Sequence, residues 1–295
     1  MNYSNRELKG NTMIVITGAN GQLGQLIVKE LLKTTPAAAI VAAVRDPAKA
    51  ASLADLGVQV RKADYNDPAT LVAAFAGAEK ILLVSSSEIG QRLAQHRNVI
   101  DAAKRAGAGL LAYTSVLHAD RSPLALAGEH LATEELLRAS GLRTAILRNG
   151  WYFENYTAGL GGALAHGVLL GSARDGRISA ATRADYAAAA AAVLTAAAPE
   201  ALYELAGDRS FSLPELAAEL SRQAGKEVPY QDMPEADYKA ALLGAGLPEW
   251  LAALLSDSDA GVAKGALEDN GGALSRLIGR ATTPLAEAVR LALGK

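Results

Sequence analysis

Along the first half of the chain, short runs of apolar residues alternate with longer stretches in which Ala and Leu recur at helical spacing. Six runs read as strands: Ile14 to Thr17, Ile40 to Val44, Val58 to Arg61, Ile81 to Val84, Leu110 to Thr114 and Thr144 to Leu147. They are nearly continuous in apolar character, which is what a sheet covered on both faces requires, whereas a half-solvated sheet would show strict alternation. Strand–helix alternation makes right-handed crossovers the default connection, so the pattern predicts an α/β fold with a doubly wound, Rossmann-type parallel sheet.

After about residue 150 the alternation weakens. Helices are expected over Asp185 to Ala197, from a start at Ser212-Leu213-Pro214-Glu215, and in several segments from Pro234 onward, with Leu202 to Leu205 returning to the sheet as a late strand. Ser212 is placed to cap a helix whose first turn carries Pro. The six alanines at 187–192 look like low complexity, but read better as one close-packed helix. The expected organisation is a polar leader over 1–12, a Rossmann domain over 13–150, and a smaller, mainly helical C-terminal cap over 151–295 with some segments returning to the sheet.

The first strand runs directly into Gly18-Ala19-Asn20-Gly21-Gln22-Leu23-Gly24 and then into an amphipathic helix reaching Leu32. In such a loop the first glycine permits the tight turn, the second lets the backbone approach a pyrophosphate, and the third lets helix and strand pack closely, with the helix N-terminus facing the anion. At the end of the second strand stands Arg45, where an NAD-selective enzyme places a carboxylate; an arginine there can pair with a 2′-phosphate, although Asp46 is adjacent. This predicts NADPH (NADP) as cofactor. Asp64 follows the third strand and Ser85-Ser86-Ser87-Glu88 the fourth; both are candidate cofactor lining, with turn and capping chemistry as the alternative for each.

Residues 147–156 read LRNGWYFENY, which places four rings within six positions of a chain that is only 5% aromatic. Trp151, Tyr152, Phe153 and Asn155 are the candidate acceptor-site residues, and Asn149, Gly150 and Glu154 complete the segment. The fifth strand ends in Tyr113-Thr114-Ser115, but the helix after it, Gly128-Glu-His130-Leu-Ala-Thr-Glu134-Glu135, offers neither the Tyr nor the Lys of an ordinary short-chain reductase. His130 and Glu134 lie four apart on one helical face, a spacing that fits an acid pair or, as the preferred reading, a stabilising helix-surface contact. A ketone reduced to an alkoxide needs a proton donor. A quinone or cationic dye takes the hydride into a delocalised system and chiefly needs a flat aromatic wall to hold it against the nicotinamide.

Composition narrows the classes further. Lys and Arg number 29 against 31 Asp and Glu, with no like-charged block to track a phosphate backbone, so nucleic acid is not expected as a partner. The absence of cysteine removes disulfides, thiol nucleophiles and Cys-ligated metals, and fits a cytoplasmic protein. The four histidines show no metal-ligand spacing, so no metal is expected. No apolar stretch is long enough to span a bilayer.

Taken together, GANGQLG after MIVIT, VAAVRDPAKA, ADYND, LLVSSSEIGQRLAQHRNVIDAAK, YTSVLHAD, EHLATE, LRNGWYFENY and SAATRADYAAAAAAVL closely resemble the bacterial type 2 NAD(P)H:quinone oxidoreductases, within the NmrA-like atypical short-chain dehydrogenases. The resemblance runs from Met13 almost to the C-terminus. It implies NADPH-dependent reduction of quinones by direct hydride transfer, without flavin or metal, with triphenylmethane reductase as a near relative lacking the same Tyr and Lys. By position, it puts cofactor contacts on the loop from Gly18 to Leu23, on Arg45, around Ser87 and on Gly150 to Asn155. The rival class is an NADP(H)-binding redox sensor acting through a protein partner. The aromatic segment separates the two, since a sensor needs no acceptor wall. A homodimer is compatible with the sequence, and no motif decides it.

Overall fold

The computed structural model describes residues 12–295, so the expected leader, apart from Thr12, lies outside the described residues. Nine strands occur among the described residues, in chain order: β1 (Ile14–Thr17), β2 (Ile40–Val44), β3 (Gln59–Lys62), β4 (Lys80–Leu83), β5 (Leu110–Val116), β6 (Thr144–Asn149), β7 (Leu169–Gly171), β8 (Leu202–Leu205) and β9 (Tyr230–Asp232). Seven of them form one parallel sheet in the order β3-β2-β1-β4-β5-β6-β8. Ile14 of β1 sits opposite Ile40 of β2 on one side and Lys80 of β4 on the other. The chain therefore winds outward from β1 in one direction and resumes from β4 in the other. That reversal opens a crevice at the carboxyl ends of β1 and β4, where doubly wound sheets bind ligands.

Burial explains why these segments are strands. Every residue of β1, β2 and β5 is buried, as the continuous apolar runs predict. β3 lies at the sheet edge, and its QVRK sequence is only half-buried; charge on an edge strand discourages pairing with other chains. The strands foreseen at 58–61 and 81–84 each shift by one residue. β5 and β6 run two residues beyond the predicted ends because Ser115, Arg148 and Asn149 are themselves buried, and a hydropathy pattern reads such polar residues as loop.

Helices behave similarly. The glycine-loop helix spans Gln22–Leu31. The alanine-rich helix begins at Arg183 and ends at Thr195, two residues early at both ends, and Ala187, Ala189 and Ala190 are all but inaccessible. Ser212 forms a complete capping box with Glu215. The C-terminal region is mainly helical, with helices at Glu235–Gly244, Glu249–Val262, Ala273–Ile278 and Leu285–Ala292. It also holds a two-stranded parallel sheet of β7 and β9, unforeseen because three residues are too few to show a period.

By contacts the chain divides into two compact units. The first takes the chain as far as Thr114 together with Ala132–Ile146 and Ala190–Leu202; the second takes Ser115–Leu131, Leu147–Ala189 and Tyr203–Lys295. Val15, Val41, Phe75, Leu83 and Tyr113 belong to a hydrophobic core in the first. Trp151, Phe153, Ile178, Phe211 and Val262 belong to one in the second.

Candidate active site

In the first unit the glycine loop has the form its sequence requires. Gly18 adopts φ +58°, a conformation that a side chain would strain. Gly21 is the N-cap of the helix Gln22–Leu31 and no side chain caps it, so the helix start presents free N–H groups beside the exposed Gly18, Gly21 and Gln22. Ala19 and Leu23 point into the protein, and the Asn20 carbonyl accepts from the Gln25 amide at 2.9 Å. Beneath the loop, Thr17 Oγ1 and Tyr65 Oη share a hydrogen bond of 2.5 Å, and Oγ1 accepts from Val84 N–H at 3.1 Å, which ties β1 to the end of β4. Burial raises the Tyr65 phenol, so it stays neutral.

Arg45 and Asp46 divide their tasks. Asp46 caps the short helix Pro47–Lys49 by accepting from Ala48 N–H at 3.1 Å, which leaves it committed to the turn. The Arg45 guanidinium is exposed and contacts Glu88 at 3.0 Å. With 71% and 38% of these two side chains exposed, the ion pair is worth only about 0–1 kcal/mol. Arg45 is thus available to an anionic ligand at small cost. Glu88 is held by Gln95 Nε2 at 2.8 Å.

The serine segment is anchored rather than loose. Ser85 N–H donates to Thr114 Oγ1 at 2.9 Å and Ser86 N–H to His96 Nε2 at 3.0 Å, while Ser86 Oγ accepts from Glu88 N–H. Burial first, and Arg92 second, push the His96 imidazole down to about 3, so the ring is neutral and its Nε2 is free to accept. Its other nitrogen then donates to Thr133 Oγ1, 3.0 Å away. Ser87 is exposed. Asp64 serves turn chemistry: its carboxylate accepts from Asn66 N–H at 2.9 Å.

In the second unit the aromatic segment splits by direction. Trp151 and Phe153, 7% and 2% exposed, pack inward, and Phe153 stacks on Phe211 at 5.3 Å with 12° between planes. Phe153→Ala is accordingly expected to cost about 3–5 kcal/mol in thermal or denaturant unfolding, the range for deleting a buried ring. Tyr152 is half-buried, edge-on to Tyr186, with the Arg183 guanidinium 4.4 Å from its ring centre. Burial raises its phenol, and a hydrogen bond with the Asn149 side chain partly offsets this. Asn149 Oδ1 is buried with no partner among the described residues. Gly150 is needed for space, since a Cβ there would lie 2.9 Å from Tyr186 Oη.

Arg183 organises this segment. Its N–H donates to Glu154 Oε1 at 2.9 Å, its guanidinium lies 3.4 Å from Glu154 Oε2, and its Nη2 donates to Asn155 Oδ1 at 3.1 Å. Tyr152, Glu154 and Asn155 are therefore fixed by one cation.

His130 and Glu134 do not lie on the surface. Both are buried, and Glu134 pairs with Arg138 at 2.7 Å. The helix face that carries them is buried, whereas the sequence reading placed it at the surface.

The NmrA-like family model matches residues 10–258 of the chain. This protein belongs to the NmrA-like family. Quinone oxidoreductase 2 of Escherichia coli is 58% identical over 278 residues, covering 94% of this chain and 97% of that protein. The crystal structure of the E. coli NADPH-dependent quinone oxidoreductase in complex with NADPH superposes with a TM-score of 0.93 at 57% identity, over 95% of this chain and all of that one (100%). The triphenylmethane reductase of a Citrobacter species gives a TM-score of 0.92 at 38% identity, over 96% of this chain and 100% of that one.

Several residues of this NmrA-like chain that organise the site are silent in its motifs. Arg183 occupies the first turn of its helix, where a cation opposes the helix dipole; that local conflict is the one sequence signal that it serves something outside the helix. Tyr65 follows Asp64 in the chain, but only the fold brings its hydroxyl under the glycine loop. His118 and Asp269 meet at 3.1 Å across 151 residues of sequence, a distance no spacing rule reaches.

Proposed function

We propose that this protein reduces quinones with NADPH by direct hydride transfer in the cytoplasm, with no flavin or metal. The observation that carries the reading is the arrangement at the carboxyl ends of β1 and β2: an uncapped helix start behind a glycine turn, and an exposed Arg45 whose neighbouring carboxylate is spent on a cap. The similarity to an NADPH-dependent quinone oxidoreductase along nearly the whole chain supports it. In this reading Gly18 to Leu23 hold the pyrophosphate and Arg45 the 2′-phosphate. The segment from Ser85 to Glu88 lines the ribose side, and Asn149 to Asn155 shape the nicotinamide and acceptor end. When bound, NADPH supplies the hydride. The residues of the chain supply binding, orientation and exclusion of water. Among the described residues no helix is long and apolar enough to cross a membrane, and no group of three or more metal-ligating side chains gathers.

NADPH oxidation by the purified, flavin-free protein is expected with benzoquinone and menadione, faster than with NADH. A protein that bound NADPH yet oxidised it with no quinone would overturn the proposal. Arg45→Ala is expected to weaken NADPH by roughly one to two decades, since a charge-assisted contact is worth about 1.5–3 kcal/mol, and NADH far less. Equal losses of both cofactors in a fluorescence titration would remove Arg45 from the phosphate site.

A further inference from the structure

We propose that His118, oriented by Asp269, donates a proton to the oxygen of the reduced quinone, and so supplies the acid that the helix after β5 lacks. The inference rests on the quinone-reductase reading. His118 lies two residues beyond the end of β5, on the carboxyl side of the sheet. The preceding Leu117 donates its N–H to the Asn149 carbonyl at 2.8 Å, so this turn runs beside the start of the aromatic segment.

The residue is held in a conformation it would not choose. His118 has φ +54°, and a non-glycine residue in the left-handed region costs about 1–2 kcal/mol unless its surroundings impose it. Two carboxylates impose it. Its N–H donates to Glu204 Oε2 at 2.9 Å, and Glu204 is fixed in turn by the buried Arg148, 2.7 Å from its other oxygen; the same guanidinium holds Asp120 at 2.5 Å. The ring Nε2 lies 3.1 Å from Asp269 Oδ2. Asp269 is itself pinned: its Oδ1 accepts from Gly271 N–H at 2.7 Å and its N–H donates to Ser179 Oγ at 3.1 Å. The second ring nitrogen, Nδ1, meets no partner among the described residues. A carboxylate on one imidazole nitrogen with the other nitrogen left open is the arrangement that orients a proton-transfer group.

The chemistry balances. A quinone that has received a hydride carries a negative charge on one oxygen. The Nδ1–H bond of the imidazolium breaks as the O–H bond forms, leaving a neutral ring with its remaining proton on Nε2, facing Asp269; water then reprotonates Nδ1. A cationic triphenylmethane dye becomes neutral on receiving a hydride and needs no proton. The two acceptors therefore report separately on proton and hydride transfer.

The test is His118→Asn, chosen because asparagine tolerates the left-handed conformation and offers no titratable proton. Turnover of menadione is expected to fall roughly 100-fold, the lower end for loss of a general acid, while NADPH affinity stays within about twofold. Turnover of crystal violet, or of phenazine methosulfate should the wild type not accept the dye, is expected to be unchanged. Added imidazole should restore part of the menadione rate. Asp269→Asn should show the same acceptor split with a smaller loss. Independently of turnover, the His118 ring nitrogen signals in NMR should shift when a non-reducible phenol is added with NADP. Equal losses with both acceptors, or no loss with menadione, would overturn the assignment. A wild-type protein that binds NADPH and turns over no quinone would overturn the underlying reading instead.

Discussion

Gly24→Val is expected to abolish measurable NADPH binding, with a loss of at least about 100-fold, or roughly 2.7 kcal/mol, in a fluorescence titration. A Cβ at Gly24 would stand 2.5 Å from the Gly18 carbonyl oxygen and 2.7 Å from Ala19 Cα. Both are backbone atoms of the loop expected to cradle the pyrophosphate, so no flexible side chain can give way. Either the loop is displaced or the helix Gln22–Leu31 lifts from β1, and each removes the N–H groups that face the anion. Overpacking adds about 1–3 kcal/mol of destabilisation, visible in thermal unfolding. Gly128→Ala is the control: nothing lies within 4 Å of its Cβ, so it should bind NADPH normally and gain up to about 1 kcal/mol of stability from helix propensity. Wild-type affinity in Gly24→Val would mean that the loop does not hold the cofactor.

The same glycine shows why much of the fold could be read in advance. A loop that needs three glycines at fixed offsets after an apolar strand constrains type, place and orientation at once, and the strands it organises are buried on both faces, so hydropathy alone marks them. β1, β2 and β8 were located to the residue. Legibility fails where the interactions are long-range or polar. Arg148 is buried between Asp120 and Glu204, and a buried arginine looks like a strand terminus in a hydropathy profile. The interleaving of the two units at Thr114 and Ile146 follows from where side chains pack and leaves no mark of composition. Among the candidate site residues, those placed by backbone geometry, such as Gly18 and Arg45 at strand ends, can be picked out from the sequence. Those whose role is to hold another side chain, such as Arg183 and Asp269, cannot.

The aromatic segment illustrates the division. Three consecutive rings cannot share one direction, so the sequence requires at least one to point inward. Only the packing shows that two do, Trp151 and Phe153, with Tyr152 held by Arg183. The segment is thus part of the core, and its inward rings fix the backbone that carries Asn149, Tyr152 and Asn155, the residues proposed to face the acceptor.

Asp259→Asn is expected to stabilise the protein at neutral and alkaline pH and to leave it unchanged in acid. Asp259 lies on the helix Glu249–Val262, 3% exposed, with its Oδ2 accepting from Ser172 N–H at 3.0 Å. Burial pushes its carboxyl up to about 7, the Ser172 hydrogen bond pulls it down, and the Asp232 carboxylate raises it again. The phenols around it, Tyr156, Tyr230 and Tyr238, are all raised, chiefly by burial, and remain neutral; no cation pairs with Asp259 among the described residues. An unfolded aspartate titrates near 3.9, so below about pH 4 the group is protonated in both states and contributes nothing. Between about pH 4 and 7 the unfolded chain releases its proton first, and stability falls by up to about 1.4 kcal/mol per pH unit, levelling off above the folded value. The full penalty is on the order of 4 kcal/mol. Asparagine keeps an oxygen for the Ser172 N–H, carries no charge, and its new donors join a cluster in which Tyr156 Oη and Ser172 Oγ are buried without partners among the described residues. Thermal unfolding across pH 4.5 to 8 should give nearly coincident midpoints at the acid end and a gain of about 4–8 °C for Asp259→Asn at pH 8, taking about 2 °C per kcal/mol for a chain of this size. Curves that stay parallel across the range would show that Asp259 is ionised in the folded protein throughout, held by a partner that the cluster of phenols does not provide.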